Sequence, residues 1–212
     1  IKNKLVETIK TDCLPGSGVN LKKFIPIKQP NNYKVRFLLV ARVLWEKGIG
    51  EFVEAAKILL QGGYQAEFCI LGFMDSKNPS SIKAAQMNKW VSKGYINYLG
   101  VTDDVGSEMA KADCIVLPSY YREGTPRSLL EAAAMARPII TTDVVGCRNV
   151  VDDGVNGYIC KPRDALHLAQ KMKNFIELSI EDRATFGSRG RYKMEQQFDE
   201  KIVIDKYLSV LR

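Results

Sequence analysis

VRFLLVARV (35–43), IGEFVEAAKILLQGG (49–63) and AEFCILG (66–72) stand in succession, and their order decides the fold. The first and third are short, nearly continuous apolar runs of strand length, without the alternation of a half-exposed strand. Between them Phe52, Val53, Ala56, Leu59 and Leu60 recur at helical spacing, and Gly62-Gly63 ends the segment. A strand, a helix and a second strand of this kind make a βαβ unit, in which the strands lie parallel.

The alternation continues downstream. A polar stretch holding Asn78-Pro79 precedes the helix-like SIKAAQMNKWVSKG (81–94), the strand-like YINYLG (95–100) and the helix-like DDVGSEMAKA (103–112). DCIVLPS (113–119) leads to SLLEAAAMA (128–136), and RPIITTD (137–143) leads to a loop rich in Gly, Asn and Asp. GYICKP (157–162) then precedes two or three helices reaching Arg212. The runs FLLVA, FCILG and CIVLP suit strands buried on both faces. The pattern predicts an α/β, Rossmann-like doubly wound domain over residues 1–212, with a helical tail over 164–212. In such a sheet ligands bind outside the carboxyl ends of the strands.

Composition narrows the classes. The chain has 212 residues, 46% apolar and 26% charged, which is globular rather than disordered or fibrous. No apolar run approaches the roughly 18 to 20 residues of a membrane span, and IKNKLVETIK at the start lacks the apolar core of a signal peptide. That start, without Met and helix-like, reads as a cut within something longer. A net charge of +7 fits a solvated basic surface, or a polyanionic partner such as a phosphate-bearing ligand or an anionic membrane face. The basic residues are scattered, with no arginine stripe, zinc-finger spacing or RNA-binding aromatic motif, so nucleic acid is not indicated.

The five cysteines, Cys13, Cys69, Cys114, Cys147 and Cys160, are widely spaced and form no C-x-x-C pair; Cys69 and Cys114 sit in strand-like runs as small core residues, and a reducing cytoplasm fits. The single histidine, His167, lies in the helical DALHLAQKMKNFIEL, which excludes a histidine-based triad or a multi-histidine metal site within this chain.

The loops after the strands collect the polar candidates. Arg42 and then Lys47 in WEKG follow the first strand; Gly72, Phe73 and Met74 follow the second; Gly100, Val101 and Thr102 follow the third. The Gly-rich PGSGVN (15–20) precedes the first strand. After DCIVLPS comes YREGTPRSLLE (121–131). Here Thr125 reads as an N-cap and Pro126 as the first helical residue, with free amides near Arg127 and Ser128 suited to a phosphate. Glu123 stands at the mouth of that helix and Glu131 about one and a half turns inside it. From the residues alone, a helix cap with two solvated glutamates is the better reading than a ligand site.

YREGTPRSLLEAAAMARPIITTDVVGCRNVVDDGVNGY resembles the signature of the retaining GT-B glycosyltransferases, in particular the bacterial members that build capsule, O-antigen and related lipid-linked glycans. The two glutamates separated by seven residues, Glu123 and Glu131, carry the likeness. PGSGVN, ARVLWEKGI, ILGF, the YLG turn and DCIVLPS extend it over nearly all of Leu14 to Pro162. The resemblance implies the C-terminal, donor-binding half of such an enzyme, its N-terminal acceptor domain not represented here.

The resemblance also implies roles. Arg42 and Lys47 match the basic pair that grips the donor diphosphate, and fixed cations there would stabilise the charge of the departing nucleotide. Gly16 and Ser17 match the turn that lets backbone approach the phosphates. Glu131 matches the ribose-binding carboxylate, and Glu123 the one beside the donor sugar, with Gly124, Thr125, Pro126, Arg127 and Ser128 close to sugar and phosphate. Gly72, Phe73, Val101 and Thr102 match the surroundings of the base, although a core or loop role reads equally well for them.

The implied reaction is metal-independent transfer from a nucleotide-sugar co-substrate, with a UDP-sugar expected, to a polyprenyl-diphosphate-linked saccharide at the inner face of the cytoplasmic membrane. No resident cofactor is implied, and no D-x-D occurs. The chain departs from many relatives at Ala136, where glycine is common, at Asn149, where an acid is, and in GFMD (72–75), which replaces a G-x-G. Other readings are a sugar-nucleotide epimerase of the same architecture, disfavoured by the single histidine, and a non-catalytic nucleotide-binding or protein-interaction module. A dinucleotide oxidoreductase is disfavoured because no G-x-G-x-x-G follows a strand.

Overall fold

The computed structural model describes Leu14, residues 16–122 and residues 124–210. Six strands form one sheet: β1 (Val35–Val40), β2 (Ala66–Leu71), β3 (Asn97–Gly100), β4 (Cys114–Leu117), β5 (Ile139–Thr142) and β6 (Gly157–Cys160). All paired neighbours run parallel, in the order β3-β2-β1-β4-β5-β6. The helices are α1 (Ile49–Gln61), α2 (Ala84–Ser92), α3 (Val105–Lys111), α4 (Arg127–Ala134), α5 (Ala165–Ile176), α6 (Ile180–Lys193) and α7 (Glu200–Val210). A π-helical turn, Met194–Phe198, joins α6 to α7.

The apolar runs divide by alternate residues between two cores, as strands covered on both sides must. Phe37, Leu39, Phe68, Ile70, Cys114 and Val116 face α1 and α5 through Phe52, Val53, Leu168, Met172 and Phe175. Leu38, Cys69, Leu71, Ile115 and Leu117 face the opposite layer, where Met109 of α3 and Leu129, Leu130 and Ala133 of α4 pack with Met194 and Phe198. Cys69, Cys114, Cys147 and Cys160 are buried free thiols; Cys13 lies outside the described residues.

The amino-terminal edge of the sheet is closed by polar groups. Arg137 is 1% exposed, yet its guanidinium donates to the carbonyls of Ile27 and Lys28 at 2.7 Å each and to the Gln29 side-chain oxygen at 3.3 Å. Gln29 and Asn32 donate to Asp113, whose carboxylate also accepts the Arg36 amide at 2.8 Å. Burial pulls the Arg137 guanidinium down to about 10, the nearby Asp113 charge opposing. This cluster straps the segment leading into β1 beneath the sheet.

Two expected helix starts shift. Residues 81–82 do not open α2: Ser81 bridges to Leu44, and the Ile82 amide donates to the Val43 carbonyl at 3.1 Å. The cap of α4 is Pro126, not Thr125, with Leu129 and Leu130 donating to the Pro126 carbonyl. The physical reason is tertiary, since Thr125 packs against the turn at Gly16, where an added Cβ would lie 3.2 Å from the threonine side chain.

Candidate functional site

The strand order reverses between β1 and β4, and that is where a doubly wound sheet opens a crevice at its carboxyl edge. The loop after β1 and the loop after β4 flank it. They are stitched together: the Ser119 hydroxyl and the Tyr120 amide both donate to the Glu46 carbonyl at 3.1 Å. Gly48 has φ 76°, and a Cβ there would sit 2.0 Å from the Pro118 carbonyl oxygen, so only glycine fits this close crossing. The stitched turn, Trp45–Lys47, carries the half-buried Lys47 at its end. Arg42, at the mouth of β1, is exposed and makes no side-chain hydrogen bond or ion pair with any described residue.

The helix after β4 supplies the second element. The Arg127 and Ser128 amides precede the first intrahelical bond of α4, so the start of this helix offers donors and the positive end of its dipole. Gly16, with φ 111°, brings the Gly-rich turn onto Thr125, and Ser17 is exposed beside it. Gly124 is exposed, with open space where a Cβ would be. Glu123 lies outside the described residues.

Glu131 is the half-buried acid of the region, its side chain 17% exposed. Burial pushes its carboxyl above the ordinary range, while Arg127, 3.5 Å away, and Lys23 pull it back. It borders two clefts. One, of about 380 Å³, lies between Lys23, Ile25 and Ile27 on one side and Asp104, Val105 and Ser107 at the start of α3 on the other. The second, of about 300 Å³, includes Ser17, Asn20, Lys23, Arg127 and Glu200. The first cleft sets one cation, Lys23, against Asp103, Asp104 and Glu131, and the second sets Lys23 and Arg127 against Glu131 and Glu200.

Of the residues expected near a base, Gly72 has a structural reason: a Cβ there would lie 1.7 Å from the Ala41 carbonyl oxygen. Its carbonyl accepts the Tyr98 hydroxyl at 2.7 Å. Phe73 is 58% and Val101 68% exposed, apolar groups without cover at the carboxyl edge. Thr102 accepts the Asp104 amide at 3.1 Å. These four residues line neither cleft. Lys23, Phe24 and Ile25 do, and sequence reasoning missed them. Their only local signal is Asn20, whose side-chain oxygen accepts the Lys22 and Lys23 amides at 3.0 and 2.8 Å and so turns the chain toward α4.

Among the described residues no three His, Cys, Asp or Glu side chains gather to hold a metal ion, and no helix is long and apolar enough to cross a membrane. His167 accepts the Lys161 amide at 3.0 Å through Nδ1, a loop-holding role.

Residues 34–177 match the family described as Glycosyl transferases group 1. A Campylobacter jejuni protein named N,N'-diacetylbacillosaminyl-diphospho-undecaprenol alpha-1,3-N-acetylgalactosaminyltransferase is 33% identical, over 99% of this chain and 56% of its own length. The Escherichia coli UDP-Gal:alpha-D-GlcNAc-diphosphoundecaprenol alpha-1,3-galactosyltransferase is 27% identical, over 77% of this chain and 44% of its own. The chain thus spans about half the length of the curated relatives it matches. Among solved structures, the C-terminal domain of a glycosyl transferase group 1 family protein (LpcC) from Francisella tularensis superposes with a TM-score of 0.70 at 23% identity, covering 86% of this chain and 99% of that domain. The fold is that of the C-terminal half of a GT-B glycosyltransferase.

Proposed function

We propose, for a chain that belongs to the glycosyl transferases group 1 family, that it is the donor-binding domain of a retaining, metal-independent glycosyltransferase. The donor is a UDP-sugar and the acceptor a polyprenyl-diphosphate-linked saccharide, in surface glycan biosynthesis at the inner face of the cytoplasmic membrane. An N-terminal domain of the whole protein holds the acceptor. One observation supports this reading: the loop after β1, with Arg42 and the turn ending in Lys47, and the loop leaving β4 flank the β1/β4 reversal and are joined through the Glu46 carbonyl. The names of the two relatives, both transferases acting on undecaprenyl-diphosphate-linked sugars, support the acceptor class.

The chemistry follows from charge. When the anomeric carbon–oxygen bond to the diphosphate breaks, the electron pair stays on the phosphate oxygen. Arg42, Lys47 and the amides of Arg127 and Ser128 are placed to stabilise that charge without reorganising. The acceptor hydroxyl attacks from the same face, so its proton passes to the departing phosphate oxygen as the new glycosidic bond forms. Glu131 accepts the ribose hydroxyls, and Glu123 holds the donor sugar. Basic side chains and a helix terminus take the place of a divalent metal.

The test is a thermal-shift screen of the chain against UDP- and GDP-sugars, followed by transfer assays of the full-length protein with and without a chelator. The proposal expects a UDP-sugar to raise the melting temperature and transfer to survive chelation. Absence of any nucleotide-sugar shift, or transfer abolished by chelation and restored by a divalent metal, would overturn it.

A further inference from the structure

Arg163 is one of two non-glycine residues described with positive φ, at 58°, a conformation that strains an L side chain. The loop holding it is fixed from both sides. His167 Nδ1 accepts the Lys161 amide at 3.0 Å, and the Asp164 carboxylate accepts the His167 amide at 2.8 Å as the cap of α5. So held, the exposed Arg163 lays its guanidinium over the Tyr120 ring, 4.4 Å from the centroid. Tyr120 stands where the loop after β4 departs, and its amide donates to the Glu46 carbonyl on the turn that carries Lys47. A single stacked contact thereby joins the strained β6 loop to both loops that flank the crevice.

We infer that Arg163 is a positioning residue, a latch that holds Tyr120, and with it the start of the loop after β4 and the Lys47 turn, in the arrangement that receives the donor diphosphate. The inference rests on the donor-site reading above for its functional half. Its structural half stands on geometry alone: backbone strain is tolerated at a position whose side chain makes the only described stacking contact on Tyr120.

Arg163→Gly and Arg163→Asn separate latch from scaffold, because both residues accept positive φ and neither provides a guanidinium. Amide hydrogen exchange, melting temperature and UDP affinity are measured on the chain and both variants. The latch predicts exchange at Tyr120 about tenfold faster and UDP bound at least threefold more weakly, while the melting temperature holds or rises as strain is relieved. Unchanged exchange at Tyr120 in both variants would overturn the latch. Faster exchange with unchanged UDP affinity would overturn its role in the donor site. Failure of the unaltered chain to bind UDP, with exchange still faster in the variants, would count against the donor reading and leave the Arg163–Tyr120 contact standing as a loop latch. A melting temperature lowered by several degrees in both variants would make Arg163 a scaffold residue and overturn the proposal.

Discussion

The two edges of one sheet are built on opposite rules. At the amino edge, Arg137, Asp113, Gln29 and Asn32 are turned inward and meet partners within the chain. At the carboxyl edge, Arg42 is exposed and unbonded to described residues, Phe73 and Val101 are uncovered, and the half-buried Glu131 has its carboxyl pushed up by desolvation. Polar groups bonded to one another serve the fold even where burial is costly, as at Arg137, whereas an arginine left exposed at the crevice mouth is available to a ligand.

The contrast breaks most visibly at Arg137. Arg137→Ala takes a donor from the Ile27, Lys28 and Ala112 carbonyls and from the buried Gln29 side chain, and the chain should lose about 3 kcal/mol of unfolding free energy. Urea denaturation measures it, and UDP affinity should stay unchanged below the transition. Arg42→Ala should do the reverse. Loss of charge-assisted bonds to a diphosphate costs about 2 kcal/mol, roughly thirtyfold in Kd, while stability moves by no more than about 0.5 kcal/mol. Calorimetric titration beside thermal denaturation reads both.

Glu131 sharpens the comparison, because its burial works against the free protein. Glu131→Gln should weaken UDP binding by about 1 kcal/mol, roughly fivefold, with melting temperature equal or higher. The sign with pH follows from the raised carboxyl. The folded form holds this proton more tightly than the unfolded chain, so the group's stabilising contribution is full at low pH and fades as pH rises through its folded pKa. UDP affinity should run the other way, falling as acid protonates the carboxylate, and Glu131→Gln should flatten both trends. The smallest effect is expected at Ala136. It ends α4 at φ 56°, with its carbonyl oxygen 2.1 Å from where a Cβ on Gly187 would be. Ala136→Gly should raise stability by up to about 1 kcal/mol and leave nucleotide binding alone.

The strands were legible because FLLVA, FCILG and CIVLP contribute to the cores on both faces of the sheet, and their short length, with the Gly or Pro that ends FCILG and CIVLP, sets them apart from buried helix segments. Arg42 and the Lys47 turn follow β1 in the chain, and the start of α4 follows β4, so the strand pattern alone put them on the carboxyl side of the sheet. The start of α4 was misplaced by one residue because Thr125 answers to Gly16, far away in the chain. The Ser81–Leu44 bridge was equally invisible, since 81–83 looks like the opening of a helix until β1 is in place. Lys23, Phe24 and Ile25 carry no chemical pattern of their own and become cleft walls only when the Asn20 turn brings them against α3 and α4. Ala136, by contrast, was flagged as a departure from glycine, and its positive φ supplies the physical reason.

The central claim is that the β1/β4 crevice holds a nucleotide diphosphate. Calorimetric titration of UDP into this chain and into Arg42→Ala, side by side at one salt concentration, tests it most directly. The account predicts saturable one-to-one binding, weakened at least tenfold in the variant with the fold intact. No binding to the unaltered chain, or equal affinity in the two, would contradict it.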